Sequence, residues 1–78
     1  MSKNKKYYVK FGENLSGLLE TYSTDVATVA AVGGIEQKQV YRVLNGEHGA
    51  SLGTILAIAK GLEIHPKILF DFEFEEED

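Results

Sequence analysis

The stretch VGGIEQKQVYRVLNG, residues 32–46, decides how the chain is read. Four polar residues in a row, Glu36, Gln37, Lys38 and Gln39, precede apolar residues at Val40, Val43 and Leu44. A helix that only packed would spread its polar positions along one face. The paired glycines at 33 and 34 end a preceding small-residue-rich helix, because glycine enters the left-handed region without steric cost. That helix is expected from Val26 to about Val32, with Thr24 or Asp25 as its N-terminal cap. The helix opened by the polar cluster is expected from about Glu36 to Leu44, ending at Asn45-Gly46.

Three residues fix how these two helices meet. Ala30 is small enough for close approach, Gly34 makes the tight turn, and Val40 packs the second helix of the pair onto the first, with Val29, Ile35 and Val43 completing the contact. Those demands define a helix-turn-helix. Once Val40, Val43 and Leu44 face inward, Gln37, Lys38, Gln39, Tyr41 and Arg42 face outward. Gln bonds adenine in bidentate fashion and Lys or Arg reaches guanine, each good pair discriminating by about 1–3 kcal/mol, so Gln37, Lys38 and Arg42 are suited to reading base edges. A plain solvated helix face is the alternative on composition alone.

Outward from this unit, Phe11, Leu15, Leu18, Leu19 and Tyr22 form a helical stripe interrupted by Gly17. Ser51 caps a fourth helix whose buried face is expected to hold Leu52, Ile55, Leu56, Ala59 and Leu62. His65-Pro66 opens a fifth short turn with Ile68, Leu69 and Phe70, Pro being favoured at a first helical position. The ends read differently. Tyr7, Val9 and Phe11 alternate with polar neighbours, as do Phe70, Phe72 and Phe74 with Asp71, Glu73 and Glu75. Period two is the signature of a strand, so a small β ribbon of the two termini, within one chain or between two, stands beside the alternative of two frayed tails.

The 78 residues are one small domain, for which a core alone gives modest stability and a partner subunit is a natural aid. The net charge of −4 divides unevenly. Residues 1–10 carry four lysines and no acid, whereas residues 71–78 carry six acids. The division is therefore a basic N-terminal arm (1–10), a helical body (11–70) and an acidic tail (71–78), and the acidity does not exclude a polyanionic partner for the rest. Lys3, Lys5 and Lys6, interleaved with Tyr7 and Tyr8, would suit an arm lying along phosphates, a role that competes with pairing in a ribbon. With no cysteine, disulfides and thiolate metal sites are excluded. The Lys-rich start runs into Tyr7-Tyr8-Val9 and no apolar run reaches membrane-helix length, so a soluble cytoplasmic protein is expected.

His48 and His65 have no patterned acid or Cys partners, Gly33 to Lys38 is wrongly spaced for a phosphate-binding loop, and no serine has a His and Asp set around it. No enzyme, cofactor or metal is expected. The tail acids form a solvated run that repels DNA or competes for the basic surface.

VAAVGGIEQKQVYRVLNG followed by SLGTILAIAKGLEIHPKILFDF resembles the Cro/CI-type helix-turn-helix repressors (XRE family) over about residues 11–70. The resemblance implies an all-α, five-helix lambda-repressor-like domain that binds double-stranded DNA as a transcriptional regulator, usually as a homodimer on a near-palindromic operator. It places base reading on Gln37, Lys38 and Arg42, and phosphate or sugar contact on Gln39, Tyr41 and Asn45. The chain departs from the family pattern in four places. A phosphate-binding Gln is replaced by Val26, a larger apolar residue by Gly33, a Glu before Asn-Gly by Leu44, and basic loop residues by Glu47 and His48. Fewer phosphate contacts imply weaker, less salt-sensitive binding. The rival readings are a protein-interaction module that keeps the scaffold without DNA affinity, and an antitoxin whose tail meets a protein partner. With no second domain in view, regulation is expected from concentration, a partner protein or cooperative assembly.

Overall fold

Lys5 opens a helix where the alternation of Tyr7, Val9 and Phe11 points to a strand. In the computed structural model, which describes residues 4–47 and 49–74, α1 spans Lys5–Thr21. Tyr7, Phe11 and Leu15 are four residues apart, so the stripe of α1 continues backwards through the segment and only Val9 made it look two-periodic. The ribbon expectation is corrected accordingly: the described residues form no strand. The two ends still meet, through rings instead of a backbone ladder. Tyr7 stacks on Phe74 at 4.0 Å between centroids, and Phe11 meets Phe70 edge-on at 5.0 Å. Lys10 Nζ donates to the Glu73 carbonyl at 3.0 Å. Glu75 and the remaining tail acids lie outside the described residues, as do Lys3 and His48.

Three further α-helices follow: α2 at Val26–Gly33, α3 at Gln37–Leu44 and α4 at Leu52–Leu62. The fifth element, Pro66–Phe70, is a 3-10 helix and not a fifth α-helix. Five residues with Pro66 in the first turn are too few for more, and the His65 ring caps them, its Nδ1 accepting from the Lys67 backbone N–H at 3.1 Å. Asn14 ties the 3-10 helix to α1 by donating to the carbonyls of Ile68 and Leu69 at 3.0 and 2.9 Å.

One residue from nearly every element closes the core: Leu15, Val29, Val40, Ile58 and Leu69 are fully buried. The fourth helix is rotated from expectation. Ile58, Ala59, Gly61 and Leu62 are buried and Ile55 is partly so, whereas Leu52 and Leu56 are 70% and 48% exposed. Apolar residues surround α4 almost completely, so periodicity alone could not set its phase. Two glycines set it instead. A Cβ on Gly33 would collide with the Ala57 carbonyl, and one on Gly61 with the Val29 carbonyl, so α2 and α4 cross with their backbones nearly touching. Gly33, which departs from the family pattern by lacking a side chain, is therefore the price of that approach.

Candidate nucleic-acid interface

Glycine and two caps build the pair α2–α3. Asp25, in extended backbone, accepts the Thr28 backbone N–H at 2.8 Å and starts α2. That bond, with a second to the Thr28 side chain, holds the Asp25 carboxyl below the ordinary aspartate value. At the other end Gly34 takes φ 77°, and the N–H groups of Gly34 and Ile35 both reach the Ala30 carbonyl, at 2.8 and 3.0 Å. This closes the helix by one left-handed residue and turns the chain. Glu36 follows in extended conformation and α3 begins at Gln37.

Ala30 and Val40 are buried, and Gly34 sits at the left-handed corner. Val43 joins them in the core and Leu44 packs partly buried against it. Gln37, Lys38, Tyr41, Arg42 and Asn45 are exposed. Positions 37, 41 and 45, and positions 38 and 42, lie one turn apart, so the five share one side of α3. The side chains of Gln37, Lys38 and Arg42 make no hydrogen bond or ion pair within the described residues.

The three expected backbone contacts differ from this trio. Gln39 is half-buried and its Oε1 accepts the Glu36 backbone N–H at 3.2 Å, so the carbonyl end of the side chain caps α3. Asn45 Nδ2 donates to Glu47 Oε2 at 3.4 Å, which sets a carboxylate beside that amide. Tyr41 is half exposed and unencumbered. Val26 is 8% exposed and belongs to the core, so a phosphate has no side-chain donor there.

Sequence reading missed two neighbours of the helix. A depression of about 120 Å³ with a mixed polar and apolar lining is bordered by Gln39 and Arg42 of α3 and by Ser51 and Thr54 at the start of α4. Ser51 Oγ accepts the Thr54 N–H and bonds Thr54 Oγ1, both at 3.1 Å. The sequence marked Ser51 as a cap, but only the crossing of α4 brings it beside Arg42. Lys5 is the second: its Nζ donates to the Gly46 carbonyl at 3.1 Å, fixing a cation at the C-terminal end of α3.

Among the described residues no group of three or more His, Cys, Asp or Glu side chains could hold a metal ion, and no helix is long and apolar enough to cross a membrane.

A model of the Cro/C1-type helix-turn-helix DNA-binding domain matches residues 14–75. Among solved structures, the restriction-modification controller protein C.AhdI from Aeromonas hydrophila is similar with a TM-score of 0.77 and 34% sequence identity, over 83% of this chain and 98% of that one. No curated protein sequence matches significantly.

Proposed function

The chain belongs to the Cro/C1-type helix-turn-helix DNA-binding family, and from that premise we propose that it is a small transcriptional regulator that binds a specific duplex sequence with α3 in the major groove. The observation that carries the reading is the two-sidedness of α3: Val40 and Val43 are buried while Gln37, Lys38 and Arg42 stand exposed and uncommitted. A recognition helix leads with its N-terminal turn, so Gln37 and Lys38 meet base edges first and Arg42 one turn later. Tyr41, Asn45 and the amide end of Gln39 contact phosphate or sugar. Arg42, Ser51 and Thr54 border a depression that suits a phosphate oxygen. The interface lies within 11–70, and Lys5 adds charge at the end of α3, where it is held. Similarity to a restriction-modification controller favours control of such a locus.

The regulator acts as a homodimer on a two-fold-related operator. Leu52 and Leu56, one turn apart and exposed on α4, supply an apolar contact for a second copy, which would also supplement a small core.

Mobility-shift titrations on upstream and random duplexes at several salt concentrations test the reading. Specific binding should weaken about 5- to 150-fold in Gln37→Ala or Arg42→Ala, the range one base contact commands, with relaxed preference at one base pair. Absence of binding even at low salt would overturn it in favour of a protein-interaction module. The burial of Val26 and the Glu47 carboxylate beside Asn45 would then be its structural basis.

A further inference from the structure

Away from the outward side of α3, the two ends of the described chain border a half-open apolar cleft of about 180 Å³. Phe11 of α1 and the rings of Phe70, Phe72 and Phe74 form its walls, with Val43 and Ala50 contributing aliphatic surface. The rings present different aspects to the space. Phe11 meets Phe70 and Phe72 edge-on at 5.0 and 6.3 Å, with interplanar angles of 70° and 83°, whereas Phe74 lies flat on Tyr7 at 9°. Among the described residues, none lining the cleft carries a formal charge. Tyr7 and Tyr8 also line it, and the Tyr8 hydroxyl, beside Gly49, makes no hydrogen bond to another described residue.

We propose that this cleft is a binding site for a small, uncharged, planar aromatic molecule bearing one hydrogen-bonding group, of the phenol or indole class. Size supports this, since an engineered apolar cavity of about 150 Å³ takes up benzene. Wall geometry supports planarity, because faces and edges are both available for offset-stacked and edge-on contacts with a guest ring. A charged guest is disfavoured by desolvation, since the described lining offers no counter-charge. The Tyr8 hydroxyl offers the guest's polar edge one partner at the mouth.

The test uses the full chain without DNA, so its outcome is independent of the operator reading. Indole is titrated while the methyl resonances of Val43 and Ile55, both in the lining, are followed by NMR. Saturable shifts at these methyls with a Kd of about 0.1–1 mM, in the range such small ligands reach, are expected. Benzoate should bind at least about tenfold more weakly. Ala50→Phe fills the space and should abolish the shifts. Should that variant fail to fold, Phe74→Ala decides, because its ring is 68% exposed and its loss leaves the core intact; indole affinity should fall about threefold or more. Unsaturable shifts, shifts confined to other residues, or unchanged affinity in Phe74→Ala would overturn the site. So would Val43 and Ile55 signals that move on dilution of the protein alone, which would mean that a second copy fills the cleft.

Discussion

Gly12 and Gly17 lie five residues apart in α1, yet the same substitution should act on them with opposite sign. A Cβ on Gly12 would stand 2.5 Å from the Leu44 carbonyl oxygen and 2.6 Å from that of Val43, whereas one on Gly17 would meet nothing within 4 Å. In an exposed helix interior, Gly→Ala gains about 1 kcal/mol by restricting the unfolded chain. Gly17→Ala should show that gain, a rise in Tm of about 4–8 °C for a domain of this size. At Gly12 the obstruction is backbone at the end of another helix, which cannot rotate aside. Helix α1 and the end of α3 would have to part by just under an ångström. Overpacking of this kind costs about 1–3 kcal/mol, and the upper end applies because no flexible side chain can yield. Subtracting the propensity gain of about 1 kcal/mol leaves a net loss of about 2 kcal/mol and a fall in Tm of about 8–16 °C. Thermal unfolding followed by far-ultraviolet circular dichroism, at one protein concentration for all variants, measures both. If both substitutions raised Tm, the close seat of α1 against the end of the recognition helix would be wrong.

Three further outcomes are expected. Asn14→Ala removes two hydrogen bonds to the end of the 3-10 helix and should lower stability by about 1–3 kcal/mol, read as a lower urea midpoint with an unchanged slope. The carboxyl of Asp25 is held below its ordinary value by the Thr28 backbone N–H first and the Thr28 side chain second. Its stabilisation is therefore complete above the ordinary aspartate range and is lost as pH falls through the depressed value. Asp25→Asn should keep the neutral-pH Tm and flatten the acid-side decline, whereas Asp25→Ala should lower Tm at neutral pH; no change in the latter would contradict the cap. Finally, Leu52→Lys combined with Leu56→Lys should shift sedimentation toward the monomer without lowering the stability of the fold, and a parent chain already monomeric at the same concentration would remove the proposed dimer contact.

Much of the candidate interface was legible along the chain. The spacing of Ala30, Gly34 and Val40 is a steric requirement of two helices crossing at a short turn. It survives any change in the rest of the molecule, and with it comes the division of α3 into Val40 and Val43 inside and Gln37, Lys38 and Arg42 outside. The termini were less legible. Tyr7, Val9 and Phe11 satisfy both a strand period and, with Leu15, a helix stripe, and a window that short does not separate the two.

What the sequence determined by itself is local: a cap at Ser51 and another at Thr24 or Asp25, which the structure assigns to Asp25, a left-handed turn at Gly34, and the order of short helices, because each depends on residues within one or two turns of one another. Tertiary structure alone decided which side of α4 is buried, since Leu52, Ile55, Leu56 and Ile58 offer apolar surface in nearly every direction. The backbone contacts at Gly33 and Gly61 chose among them. It also decided that Ser51 and Thr54 stand beside Arg42, that Lys5 closes the end of α3, and that aromatic residues from both ends line a common cleft. These are meetings of residues far apart in the chain, and their geometry follows from how closely the helix backbones approach.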